Sequence, residues 1–599
     1  MTNNNQLEEN QNADCTTVLP REPFKNIALT FSGGGFRAAS FSLGALSYLY
    51  RCQYEKFNAR LIDNVKFITS TSGGSLTNGK FAADLYSDPE FSFGKFYAEM
   101  REGLDGEKLL CRVFELIKDD DQWQVKGFET DESGNSVKVY KSRNLINAFA
   151  KGYDELLFSK RTLDCIYSPV YKASLEKVCF NATEFNNGLN FYFQSNGHTK
   201  AIDERGNGYL KISDPEVFRH LKISDIVAAS SCFPSGFEPI IYPTDFIHEN
   251  LTDVNKMLKA ISYDHNNPLK LAEVADKPFA LMDGGIADNM GIHSVMVEDS
   301  VRLRSGDDPF DLILACDVTS YFTDPLKNVQ PKSKGWTTKV SINTLLLPVR
   351  ISPVIFLLCI LSVIFKVWPV AGYLLLIPSL AATALLLFVN SRLNRTKNSS
   401  SGSIAKTVLK NTRYFAALPL SSIIHMVQAR VNSSLQLVSD LFLKQIRRGQ
   451  YDNLFTKPRL VHRTISCLIY EFSSAHQKRR VQILNFKDRA WWKAMETVLM
   501  PGERLQKVAD EAKSVGTTLW FDESDVKTEK RDKVIAAGQF TMCYNLIKHI
   551  CRLEVQDKKY TEDTALQKLK QSLLDDWELF QKAPLFMISD LNRKEIKPY

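Results

Sequence analysis

The chain is poor in the features that most readily announce a function. Its eleven cysteines include no CxxC pair and no Cys/His spacing suited to zinc, which argues against a metal finger or a disulfide framework. A formal charge of +7 is small for 599 residues and gives no nucleic-acid signature. The Walker pattern GxxxxGK[ST] is absent, and no internal repeat is visible. Residues 1–24 are polar and rich in Asn and Gln, without the basic and apolar regions of a signal peptide. They read as a disordered tail, and the folded part reads as residing in a reducing, cytosolic compartment. Hydrophobic and charged fractions of 44% and 24% are those of an ordinary globular protein.

Charge is also sparse in one stretch, Asn343–Asn390, which holds only Arg350 and Lys366. Ile351–Phe365 and Val367–Val389 are uncharged runs with only Lys366 between them. About 20 apolar residues cross the hydrocarbon layer as a helix. The second run is long enough, and the first becomes so only if it starts near Leu345 with Arg350 at the interface. Lys327, Lys332, Lys334 and Lys339 precede the pair, and Arg392, Arg395 and Lys397 follow it. Positive charge outside both ends predicts a transmembrane hairpin with both termini cytosolic, in a multi-pass membrane protein. A buried or interfacial hairpin is the alternative, which Pro348, Pro353, Pro369 and Pro378 favour. The domains expected are a tail (1–24), a catalytic domain (25–325), the hairpin with its basic flanks (326–400), and a mainly helical region (401–599) that completes the fold. A short polar linker, Ser400–Ser403, separates the last two.

Before the hairpin, strand-like and helix-like segments alternate: Asn26–Phe31, a helix from about Arg37 to Arg51, Val65–Ile68, a helix after Ser75, then Phe279–Met282 and Leu312–Cys316. That order predicts an α/β fold with a mostly parallel central sheet. One further strand is expected after the hairpin, within Thr464–Phe472.

Three short stretches carry chemistry. In FSGGGFRAASFSLGAL, from Phe31, the glycines Gly33, Gly34 and Gly35 sit between a strand and a helix, where bare N–H groups make an anion site. Such a loop suits either a phosphate or the oxyanion of a tetrahedral intermediate. GxGxxG is met only loosely, with Ala38 in the last place. In KFITSTSGGSL, from Lys66, Ser72 follows a strand and precedes a helix, with small neighbours at Ser70 and Gly74. A nucleophile elbow needs such neighbours because it strains the serine backbone. In LMDGGIADNMG, from Leu281, Asp283 is followed by Gly284 and Gly285. Asp283 could orient or deprotonate a serine, join Asp288 on a metal, or cap a turn.

In this order the three stretches resemble the patatin-like phospholipase family, and the GGGxR form is similar to the cytosolic phospholipases. NATEFNNG from Asn181 and AASSCFPSGFEPI from Ala228 agree with bacterial patatin-like proteins. The resemblance covers roughly residues 25–320, with a weaker echo at Thr517–Asp525 and at Ala537-Gly538. It departs from the family at Ser70 and Ala38. It implies a three-layer fold and a membrane-associated lipid acyl hydrolase of phospholipase A or lysophospholipase type. Ser72 would be the nucleophile and Asp283 the base of a dyad, with the N–H groups of Gly33, Gly34 and Gly35 as oxyanion hole. Arg37 would hold a lipid phosphate. A triad through His293, a neutral-lipid or thioester substrate, and a silent lipid-binding scaffold are the alternatives. No cofactor and no metal are expected. The partners expected are membrane phospholipids and the bilayer, not nucleic acid, and the catalytic domain is expected on the cytoplasmic side.

Overall fold

Both faces of the central strands are apolar, and that pattern sets the architecture. Ile27, Leu29 and Phe31 join one hydrophobic core, while Ala28 joins a second. Likewise Leu312, Leu314 and Cys316 enter the first, and Ile313 and Ala315 the second. A strand alternates its side chains between faces, so two cores mean helices on both sides of one sheet. The computed structural model describes residues 22–130, 133–167, 174–195, 205–207, 209–234, 236–263, 277–319, 334–398, 412–477, 499–516 and 520–591. Lys327 and Lys332, the linker Ser400–Ser403, and the start of the echo at Thr517 lie outside those residues. Glu22–Phe24, expected in the tail, are described, and Phe24 is fully buried against Tyr54 and His549.

The chain forms two compact units, Met1–Phe322 with Phe442–Tyr599, and Thr323–Leu441. In the first, β1 (Ile27–Phe31) feeds α1 (Gly35–Arg51), and β2 (Val65–Thr71) feeds α2 (Gly73–Ser87). Next come β3 (Lys177–Glu184), β4 (Leu189–Gln194), α3 (Ile223–Ser231), β5 (Phe279–Asp283), α4 (Ile292–Arg304) and β6 (Leu312–Asp317). The second unit holds α5 (Ile342–Ile364), α6 (Pro369–Asn398) and α7 (Leu420–Gln436). The first unit resumes with α8 (Leu443–Thr456), β7 (Thr464–Leu468), α9 (Lys530–Gln556) and α10 (Thr564–Lys582).

The sheet is mixed, which corrects the expectation of a mostly parallel one. Strands β3, β2, β1, β6 and β7 run parallel in that spatial order. Strands β4 and β5 both pair antiparallel with β3, and three short antiparallel strands continue beyond β4. The cause is local. The β3–β4 connection is a hairpin whose turn is closed by Glu184, which accepts from Asn186 and Asn187, and by Gly188 at φ +66°. A hairpin cannot make a parallel pair. The strand expected after the apolar runs is present as β7, parallel to β6, so the sheet closes only after the second unit has been passed.

Helices α1 and α9 cross at two glycines. A Cβ on Gly538 would lie 2.2 Å from the Phe41 carbonyl, and one on Gly44 would lie 2.0 Å from the Ile535 carbonyl. Gly538→Ala should therefore lower stability by about 1–3 kcal/mol through forced separation of the helices. The thermal midpoint of the purified chain checks this.

The second unit is built the other way round. In α5 only Ser352 and Cys359 are buried, while Leu345, Leu347, Val354, Leu357, Leu358 and Ile364 face outward. Ser352 Oγ meets Thr383 Oγ1 across the hairpin at 3.1 Å. Helix α5 starts at Ile342 and continues through Pro348 and Pro353, so it is 23 residues long. Pro369–Phe388 supplies a second apolar stretch of 20 residues.

Candidate active site

The nucleophile turn is built from the strand end. After β2, Ser72 adopts φ +51° and ψ −126°, then α2 starts at Gly73. Positive φ is costly for a residue with a Cβ and persists only where the surroundings impose it. Here a hydroxyl chain does so. The Ser72 N–H donates to Ser230 Oγ at 2.9 Å, and Ser230 Oγ donates to the Asn181 carbonyl at 2.6 Å. Ser75 Oγ lies 3.0 Å from Ser230 Oγ and donates to Ser70 Oγ at 3.1 Å, and Asn78 donates to Ser70 Oγ at 2.9 Å. Ser70 thus stands where a glycine is usual because its hydroxyl is fully engaged.

The glycine loop passes directly over this turn. A Cβ on Gly33 would lie 3.2 Å from Ser72 Cβ and 2.5 Å from Asn289 Oδ1. A Cβ on Gly73 would lie 1.9 Å from the Gly35 carbonyl, and one on Gly74 would lie 2.8 Å from Ser32 O. Backbone meets backbone, and any side chain would part the two loops. Gly34 (φ +142°) and Gly35 (φ +60°) make the turn into α1. The N–H of Gly33 donates to the Asn289 carbonyl at 2.9 Å, so it is spent within the fold. Of the three glycines expected as oxyanion donors, Gly33 is thus already engaged, while Gly34 and Gly35 stand at the start of α1.

Asp283 ends β5 beside this turn. Its Oδ1 accepts the Gly285 N–H at 2.7 Å, and the Ser72 side chain is close enough to act on its carboxyl. Burial drives the carboxyl up to about 6, and these two groups hold it from going further. A Cβ on Gly284 would lie 2.2 Å from the Asn181 carbonyl, which explains the glycine after the acid. Asn181 itself ties the strands together: it donates to Thr69 Oγ1 and the Ser70 carbonyl and accepts from Asn190 and Ser294. Asp288 is a turn cap, accepting the N–H groups of Met290, Ile292 and His293. Among the described residues no group of His, Cys, Asp and Glu side chains is arranged to hold a metal.

The glycine loop, the Ser72 turn and Asp283 all lie within residues 29–296, a stretch that matches the sequence model of the patatin-like phospholipases. The chain carries a patatin-like phospholipase domain. Among solved structures, human GIVD cytosolic phospholipase A2 is similar at 13% identity and a TM-score of 0.26, over 49% of this chain and 45% of that one. VipD from Legionella pneumophila is similar at 12% identity and a TM-score of 0.21, over 96% and 93% of the two chains. The chain thus covers less than half of the human enzyme's length. No curated protein is a significant sequence match.

Two further side chains expected at the site, Arg37 and His293, have partners other than Ser72 and Asp283. Arg37 is buried, at 7% exposure, and its guanidinium donates to the Val515 carbonyl. Burial pulls its pKa down to about 10, with Asp317 opposing. It ties α1 to the segment after helix Glu503–Ser514, which counts against its expected role of holding a lipid phosphate. Arg37→Ala should then cost about 1–3 kcal/mol of stability, and any phospholipid and soluble-ester cleavage should change to the same extent. A loss confined to phospholipid in steady-state assays on both substrates would restore the phosphate-holding role. His293 stacks on Tyr192, its Nδ1 meets the Tyr192 hydroxyl, and its N–H is held by Asp288. It lines a cavity of about 600 Å³ with Asn190, Ile292, Met296 and Gln450, a cavity that Ser72 and Asp283 do not line.

The residues that sequence reasoning missed are Ser230, Asn181, Ser75 and Asn289. All four lie inside the motif stretches, where no role attached to them. A small polar residue next to the glycines or between apolar neighbours was the available signal.

Proposed function

We propose that this protein is a membrane-associated lipid acyl hydrolase working through a Ser72–Asp283 dyad. Ser72 Oγ attacks the acyl carbonyl as Asp283 takes its proton, and the N–H groups of Gly34 and Gly35 receive the oxyanion. Asp283 returns the proton to the leaving alcohol, then activates the water that cleaves the acyl-enzyme. The observation that carries this reading is Ser72 at φ +51° beneath the glycine loop, with the buried Asp283 carboxyl close enough for Ser72 to act on it. A carboxyl near 6 is ionised at neutral pH yet basic enough to accept the proton.

Phospholipid or lysophospholipid is the first substrate class, following the family. The burial of Arg37 favours a second reading, a neutral-lipid acyl hydrolase, because it removes the one cation assigned to a phosphate. A fluorophosphonate probe followed by a lipid panel tests both. Labelling lost in Ser72→Ala supports a serine hydrolase, and the lipids that release fatty acid name the class. Absence of labelling in the folded wild type would leave a silent scaffold.

The hairpin supports membrane insertion. Its outward apolar surface and inward Ser352, Thr383 and Cys359 invert the pattern of a soluble hairpin. With basic residues at both ends, both termini and the patatin-like domain are on the cytoplasmic side in this reading.

A further inference from the structure

The second unit is more positive than the whole protein. Between Asp324 and Asp440 the chain has no Asp or Glu, yet Thr323–Leu441 contains thirteen Lys and Arg. Thirteen basic against two acidic residues give this unit +11, so the remainder of a +7 chain carries −4. Two apolar helices need no such asymmetry in order to insert.

Helix α7 shows what the charge is for. It has no buried residue at all. Leu420, Ile424, Val427, Val431 and Leu435 recur at spacings of 4, 3, 4 and 4, which lines them along one stripe. Val427 and Val431 are 52% and 50% exposed, and Ile424 and Leu435 are exposed as well. Ser422 and Ser433 lie on the opposite side. No described residue of the chain covers the stripe.

The start of α7 is pinned to the start of α5. The Leu420 N–H donates to the Val340 carbonyl at 2.8 Å, and Ser341, which caps α5, pairs with Pro419. The turn Trp336–Thr338 packs on α7, and Trp336 is exposed. Tryptophan beside the mouth of an apolar helix marks the headgroup level of a bilayer.

We propose that α7 lies in the headgroup layer of an anionic leaflet, apolar stripe down, as an interfacial helix that makes the seating of the insert depend on lipid charge. This rests on the reading that α5 and α6 insert. An amphipathic helix in a basic setting binds by buried apolar area together with attraction to acidic lipid. A second copy is a poorer occupant, since it would bring two units of +11 together.

The test uses the full chain in phosphatidylcholine vesicles with or without about one-quarter phosphatidylglycerol. A fluorescent amino acid replaces Val431 or Ser433, and lipids brominated near the headgroup or near the bilayer centre quench it. Quenching at Val431 should exceed that at Ser433 by about threefold, be strongest with shallow bromine, and drop by about half without phosphatidylglycerol. Val427→Glu combined with Leu435→Glu, two changes on the same stripe, should abolish the contrast. Carbonate washing separates the two ideas. If the chain washes off, the hairpin reading fails and takes this one with it. If the chain stays while Val431 and Ser433 are quenched alike, only the interfacial helix is overturned. Photocrosslinking from Val431 into a second chain would likewise overturn it.

Discussion

Asp283→Asn should abolish lipid and soluble-ester hydrolysis and at the same time make the protein harder to unfold. Both effects have one origin, the burial that lifts the carboxyl from 3.8 to about 6. Between those values the folded protein holds a proton that the unfolded chain has released, so stability falls as pH rises through that window. Above pH 6 the ionised group costs about 3 kcal/mol, at about 1.4 kcal/mol per pH unit of displacement. Asparagine keeps an oxygen for the Gly285 N–H and offers an amide to Ser72, so the fold loses the charge without losing its contacts. The thermal midpoint should rise by a few degrees at pH 8 and hardly change at pH 4. Activity should fall by at least about a thousandfold, as it should in Ser72→Ala, and the double variant should be no worse than either single one. In the wild type, kcat/KM should decline tenfold per pH unit below about 6, where Asp283 is protonated. His293→Ala should keep most of the activity, because His293 is engaged with Tyr192 and Asp288. Turnover in Asp283→Asn within tenfold of wild type would sink the dyad.

The parts of this centre that sequence could reveal are those where small residues are forced. Gly33, Gly73, Gly74 and Gly284 each abut a main-chain or near-main-chain atom, and a lone glycine cluster after a strand is a signal that survives without coordinates. Direction is not such a signal. Arg37 follows the glycine loop in sequence, but the third residue of a helix can face the core as easily as the cleft, and here it turns inward to the 499–516 segment. The role of Ser230 was equally hidden, since its partners are 158 and 49 residues away in the chain. The hairpin between β3 and β4 was, by contrast, readable. Asn186-Asn187-Gly188 is a turn signal, and weighing it would have replaced the parallel sheet by the mixed one.

Excising the second unit should separate catalysis from the membrane. None of its described residues enters either hydrophobic core of the first unit, and among the described residues no strand of the eleven-stranded sheet comes from it. The sheet resumes at β7, which takes its place beside β6 through contacts wholly within the first unit. A chain in which a flexible Gly/Ser linker replaces Thr323–Leu441 should therefore fold, keep the Ser72–Asp283 pair, and hydrolyse p-nitrophenyl esters within about tenfold of the wild-type rate, since linker length changes closure entropy only slowly. It should also stay in solution after centrifugation, where the parent remains in the pellet through salt and carbonate and is released by detergent. Two mostly apolar helical stretches of 23 and 20 residues are long enough for that permanence, at about 1.5 Å per residue against a hydrocarbon core of about 30 Å. On bilayer substrate the excised enzyme should lose at least about a hundredfold, because it must then find the surface by diffusion rather than reside there. A parent chain that leaves the membrane in salt would overturn the anchor, and an excised chain equally active on bilayers would show that the anchor serves something other than access to lipid.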